Sequence, residues 1–130
     1  LTGRPLDYAP KFRGNVGLHW DMGEVRGYTT SFNATESFTS SFLTSNTDSP
    51  QSRLPAYQTT DLRFAIHSPE NRWEFELFGS NVFDKHYYTT TIAQPLASVM
   101  GATNPATGAT VYRGFLGDPA RYGARIAVHF

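Results

Sequence analysis

Cysteine is absent from the chain. That absence removes disulfides, thiolate nucleophiles and cysteine-ligated metals together, and it fits the periplasm and the cytosol equally. A charge excess is absent too, since 11 Lys and Arg balance 11 Asp and Glu. There is therefore no electrostatic footprint for nucleic acid and no basic surface for anionic lipid. No apolar run approaches the roughly 20 residues that a transmembrane helix requires, so this chain can meet a membrane only with strands. The opening LTGRPLDYAP has neither an initiator methionine nor a charged-then-apolar leader, which points to the C-terminal piece of a longer chain.

What is present is order of one kind. Hydrophobic residues make up 39% of the 130 and aromatics 15%, enough for one ordered domain spanning residues 1–130. The last stretch, ARYGARIAVHF, sets Tyr122, Ala124, Ile126, Val128 and Phe130 against Gly123, Arg125, Ala127 and His129. A period of two gives a strand with one apolar and one mixed polar face.

The same pattern recurs along the chain. After a loop-like start, Phe12, Gly14, Val16, Leu18 and Trp20 share one face, with Lys11, Arg13, Asn15, His19 and Asp21 on the other. The spacing predicts a tight turn at Met22-Gly23-Glu24 and a second strand over 25–37 whose polar face is uncharged. Gly23 would supply the positive φ, setting Leu18 opposite Tyr28, Val16 opposite Thr30, Gly14 opposite Phe32 and Phe12 opposite Ala34. Residues 39–55, rich in Ser and Thr, read as a long exposed loop. A third strand carries Leu62, Phe64 and Ile66, a turn follows over 68–72 around Pro69, and a fourth strand carries Trp73, Phe75 and Leu77. Residues 89–116 read as a second long loop before the last strand. The expected fold is all-β: an antiparallel meander of five long strands.

Two environments suit such strands. A soluble sandwich turns the apolar face to a core, packing Phe64, Leu77 and Ile126; an outer-membrane barrel turns it to lipid and the polar face to a wet lumen. The connections alternate short, long, short, long, as in barrels with brief periplasmic turns and long extracellular loops. Trp20, Trp73 and Phe130 are expected at one height on one face, as in an interfacial girdle.

The segment Asn81-Val82-Phe83-Asp84-Lys85-His86-Tyr87 resembles the Asn-Leu-Phe-Asp-Lys-x-Tyr motif near the C-terminus of TonB-dependent outer-membrane receptors, with Val82 in place of the usual leucine. The resemblance extends to Tyr57, Asp61 and Leu62, to Ala9-Pro10-Lys11, and to Gly117-Asp118-Pro119-Ala120-Arg121 before a final strand ending in phenylalanine. It covers essentially the whole chain through motifs that are individually weak and jointly ordered. It implies the C-terminal segment of a barrel of about 22 strands in the bacterial outer membrane. The implied function is energised uptake of a scarce ligand such as an iron-siderophore, cobalamin or a glycan, through a plug and a TonB-contacting region that lie upstream. Implied partners are outer-membrane lipid, the TonB complex and the barrel-assembly machinery, the last reading Gly123, Ile126, Val128 and Phe130. The alternatives are a passive porin-like barrel end and a soluble antiparallel binding module. Five strands leave two open edges that hydrocarbon does not tolerate, so the isolated segment is expected to aggregate, pair through edges or stay unfolded.

Site chemistry is sparse. His19, His67, His86 and His129 fall on different strands without a close pair, so neither a metal site nor a cofactor is expected. Glu74 and Glu76 share a face at a spacing that suits an acid–base pair, but pairing with Arg63 and Arg125 in water is the expectation. Asn81 and Asp84 are expected to organise backbone, and Tyr87 and Tyr88 to mark the outer interface. Nothing suggests an enzyme. Met100, Tyr112 and Arg113 in the second long loop are the candidates for ligand contact.

Overall fold

A computed structural model describes residues 6, 8–44, 50–94, 101 and 111–130. The chain is all-β: β1 (Arg13–Val25), β2 (Tyr28–Thr39), β3 (Phe42–Leu43), β4 (Arg53–Leu54), β5 (Tyr57–His67), β6 (Trp73–Ser80), β7 (Tyr88–Ala93), β8 (Tyr112–Leu116) and β9 (Arg121–Val128). It divides into two compact units. One comprises residues 13–38, 58–85 and 118–130; the other comprises 1–12, 39–57 and 86–117.

The first unit is a five-stranded sheet in the order β1-β2-β5-β6-β9. Its best-defined part is set by register. β5 and β6 place Phe64 opposite Leu77 and Ile66 opposite Phe75; β6 and β9 place Phe75 opposite Ile126, Leu77 opposite Ala124 and Trp73 opposite Val128. Because side chains alternate across a strand, these residues form one continuous apolar face. Ala65, Glu76 and Arg125 form a rung of the opposite, polar face, as do His67, Glu74 and Ala127.

The first hairpin differs from the sequence expectation. β1 runs through Met22-Gly23-Glu24 to Val25, and the turn is the two-residue loop Arg26-Gly27, with φ of 55° and 83°. Positive φ at both loop positions is the geometry whose twist matches the flanking strands. Gly23 does use a positive φ, 80°, but inside β1. The apolar alternation slips there, from Trp20 and Met22 to Val25, and a one-residue bulge at a left-handed glycine restores the face. His19 consequently meets Asn33, and a Cβ on Gly14 would strike the Phe38 ring. The predicted pairings of Leu18 with Tyr28 and of Gly14 with Phe32 are therefore incorrect. Trp20 sits within the strand, and the aromatic beside Trp73 is Tyr28, with ring centroids 5.9 Å apart.

The β5–β6 turn does lie at 68–72. Ser68 organises it, accepting from Trp73 N–H through Oγ at 2.8 Å and from Asn71 N–H through its carbonyl at 3.0 Å. Glu70 and Asn71 complete the reversal with φ of 56° and 55°.

The second unit corrects the two long-loop expectations. Within 39–55, β3 pairs with β4, and Thr39, Ser40, Leu43, Thr44, Ser52 and Leu54 are buried. Thr44 is held there by Ser52, whose carbonyl accepts from its N–H at 2.8 Å and its hydroxyl at 3.1 Å, and its hydroxyl lies 2.6 Å from that of Thr91. Within 89–116, β7 pairs with β8 in an antiparallel ribbon. The β-branched run Thr89-Thr90-Thr91-Ile92 favours such a strand.

Among the described residues the buried hydrophobics are Leu43, Leu54 and Ala65. On the apolar face of the large sheet, Val16 is 66%, Leu77 45% and Ile126 70% exposed, while Phe64 is half-buried.

Candidate functional site

Polar chemistry in the large sheet gathers in two places. The first is the polar face. On β1, His19 Nδ1 lies 2.5 Å from Asn33 Oδ1 on β2, and His19 Nε2 lies 3.1 Å from Asp21. Arg63 Nη1 approaches Glu76 at 3.8 Å, and Arg125 sits directly opposite Glu76 in the register. Glu74 lies between His67 and Ala127. These charges are spread along the strands and do not converge; the exposed His19–Asp21 pair contributes little stability, whereas the Glu76 side chain is only 12% exposed. Among the described residues no three His, Asp or Glu side chains are grouped to hold a metal ion.

One apolar residue breaks into this face. It is Phe78, where Leu77-Phe78 interrupts the alternation of Trp73-Glu74-Phe75-Glu76. Phe78 stands opposite Arg63 on β5 and Gly123 on β9, and its ring occupies the space that a Cβ on Gly123 would need. Gly79, on the apolar face, makes the matching room for Tyr122 and Val82. Large-on-small pairing of this kind lets bulky rings lie along a sheet.

The second gathering is the motif after β6. Asn81 is 4% exposed and adopts φ of 47°, a left-handed conformation that asparagine tolerates. Its side chain closes the segment into a ring: Oδ1 accepts from Lys85 N–H at 2.8 Å, and Nδ2 donates to the carbonyls of Lys85 and Asp118, each at 3.0 Å. Asn81 N–H donates to Asp61 Oδ1 at 2.9 Å and Val82 N–H to the Thr60 carbonyl at 2.9 Å, tying the segment to β5. Asp84, at φ of 49°, accepts from Ala120 N–H at 3.0 Å, and Tyr122 OH donates to the Val82 carbonyl at 2.6 Å. Asp118 pairs with Arg121. One buried amide thus sits where β6 ends and β9 begins, beside the first half of β5. Phe83 contributes nothing to this network and is largely exposed.

The remaining candidates are dispersed. Tyr87 stacks on Tyr57 in the smaller unit, with ring centroids 4.1 Å apart, and its carbonyl accepts from Gly117 N–H at 2.8 Å. Arg113 lies opposite Ile92 and Tyr112 opposite Ala93. With the Gln94 amide oxygen turned toward it, the Arg113 guanidinium donates through Nη2 at 3.0 Å. Met100 lies outside the described residues. Ile126 and Val128 belong to the exposed apolar face of β9, Gly123 to its polar face, and Phe130 projects freely beyond the strand.

A scan against protein-family models, a search of curated proteins and a search of solved structures each found no match to the chain.

Proposed function

We propose that this chain forms the C-terminal strands of a TonB-dependent receptor barrel in a bacterial outer membrane, and that the complete protein imports a scarce ligand with energy delivered by the TonB complex. The observation that carries the membrane part is the apolar face, continuous across β5, β6 and β9, half-buried to exposed, and backed by no comparable core among the described residues. A soluble module of this length would bury such a face. Lipid removes the contradiction, because a barrel faces hydrocarbon with apolar side chains and water with polar ones. β1, β2 and β5 comprise 13, 12 and 11 residues, enough for tilted strands that need about 9–11 to cross the hydrocarbon, and β6 and β9 comprise 8 each, just under that span.

The short reversals at Arg26-Gly27 and at 68–72 leave one end of the sheet, and the longer connections leave the other. In the proposed orientation the first end is periplasmic and the second extracellular. β1 and β9 are edges of the sheet, and a membrane barrel requires both to be paired with further strands. The energised part rests on the resemblance carried by Asn81, Phe83, Asp84 and Tyr87.

The experiment is uptake by cells expressing the full gene product, with and without a protonophore. An energised importer concentrates its labelled ligand and stops when the inner-membrane proton gradient collapses. Uptake that is unchanged by the protonophore would replace this reading with the passive porin.

A further inference from the structure

A shallow depression of about 410 Å³ lies on the large sheet and is lined chiefly by Asn33, Thr35, Asp61, Arg63, Phe78 and Ser80. Its volume falls within the roughly 300–1,000 Å³ usual for small-molecule clefts. Its chemistry is unlike the rest of the polar face in holding an aromatic ring, Phe78, 41% exposed and seated over Gly123. Around the ring stand a hydroxyl on Thr35 and one on Ser80, the amide of Asn33, one carboxylate and one guanidinium. Together they supply hydrogen-bond donors and acceptors with no net charge. Asp61 is fixed through Oδ1 by Asn81 N–H at 2.9 Å, so a rigid backbone feature holds the acceptor in place.

We propose that this depression is a binding subsite for a neutral saccharide, with Phe78 as the platform for the sugar ring. A pyranose presents polarised C–H groups on its flat side and hydroxyls around its rim. The negative π-face of a phenyl ring complements the former, and the mixed donors and acceptors complement the latter. A siderophore carrying net negative charge would find one guanidinium, Arg63, already approached by Glu76 at 3.8 Å, and the Asp61 carboxylate in the same lining, which opposes it. The proposal rests on the reading of this face as the wet side of a barrel and narrows the imported ligand to one class.

The test is saturation-transfer NMR on the full gene product in detergent micelles, using maltotetraose, cellotetraose and chitotetraose as probes. At least one is expected to bind saturably in the millimolar range. Phe78→Ala is expected to weaken it by roughly tenfold, Phe78→Tyr to retain it, and Leu77→Ala, on the opposite face, to leave it unchanged. No saturable binding by any probe, or equal binding by wild type and Phe78→Ala, overturns the subsite. Insertion into lipid vesicles is measured on the same preparation. Insertion without saccharide binding rejects the subsite alone, and binding by a protein that stays in the aqueous phase rejects the membrane reading alone.

Discussion

Replacing Asn81 with alanine tests the motif as a structural lock. The substitution deletes three side-chain hydrogen bonds, two to Lys85 and one to Asp118, each with a net value of about 1 kcal/mol. It also places alanine at φ of 47°, where a residue with a Cβ and no local hydrogen-bonding side chain costs about 1 kcal/mol or more. Lys85 and Asp118 are exposed, so water recovers part of the lost bonding, and a net loss of about 3 kcal/mol is expected. Asn81→Gly relieves the backbone cost while losing the same bonds, so it should be about 1 kcal/mol less damaging. The assay is urea unfolding of the full gene product in detergent, followed by tryptophan fluorescence and by the heat-dependent gel mobility typical of folded barrels. An Asn81→Ala midpoint equal to that of wild type would refute the lock. A glycine variant as unstable as the alanine variant would refute the role of the left-handed backbone.

Three further outcomes follow from other parts of the sheet. Leu77→Arg, on the apolar face, should destabilise the protein in a bilayer by about 2–4 kcal/mol, whereas Glu76→Gln, one residue away on the polar face, should cost less, because glutamine keeps the shape of a side chain that is 12% exposed and gives up one 3.8 Å ion pair; vesicle-based unfolding titrations compare the two. Gly27→Ala should cost about 1–2 kcal/mol in the same titration, because φ is 83° and the new Cβ would come 2.9 Å from Pro69 Cγ; Arg26→Asn should be neutral or stabilising at its own positive φ. Deleting Phe130, which is fully exposed, should lower the amount assembled in the outer membrane of living cells while leaving refolding into detergent unchanged. Equal losses in both settings would mean that Phe130 acts in folding rather than in recognition by the assembly machinery.

The alternation of β5 and β9 was legible because nothing interrupts it, and that of β6 as far as Leu77, after which Phe78 falls on the polar face: each apolar residue of Leu62-Arg63-Phe64 or Ile126-Ala127-Val128 lies on the face its spacing assigns. The β1–β2 hairpin was not, because two glycines lie four residues apart and either can take a positive φ. The signal that decides between them is Val25, which is out of phase with Trp20 and Met22 unless a bulge intervenes. The small paired strands in the Ser- and Thr-rich connections were hidden for another reason. Beside Leu43 and Leu54, their interior holds Thr44, Ser52 and Thr91 joined by hydrogen bonds, and hydropathy reads such residues as loop. The partners of the motif were equally hard to anticipate, since Asp61 and Asp118 reach Asn81 from positions 20 and 37 residues away in sequence.

The most direct test of the account asks what the apolar face touches. Trp20 and Trp73 are the two tryptophans of the chain, and both belong to that face, with Trp73 at its short-turn end. The measurement is their fluorescence in vesicles of lipids brominated at successive depths along the acyl chain, with any other tryptophans of the full gene product replaced. Both should be quenched by brominated lipid and protected from aqueous iodide, with Trp20 quenched from greater depth than Trp73. Quenching of both by iodide, with brominated acyl chains without effect, would mean that the face meets water or protein, and the membrane-barrel account would be wrong.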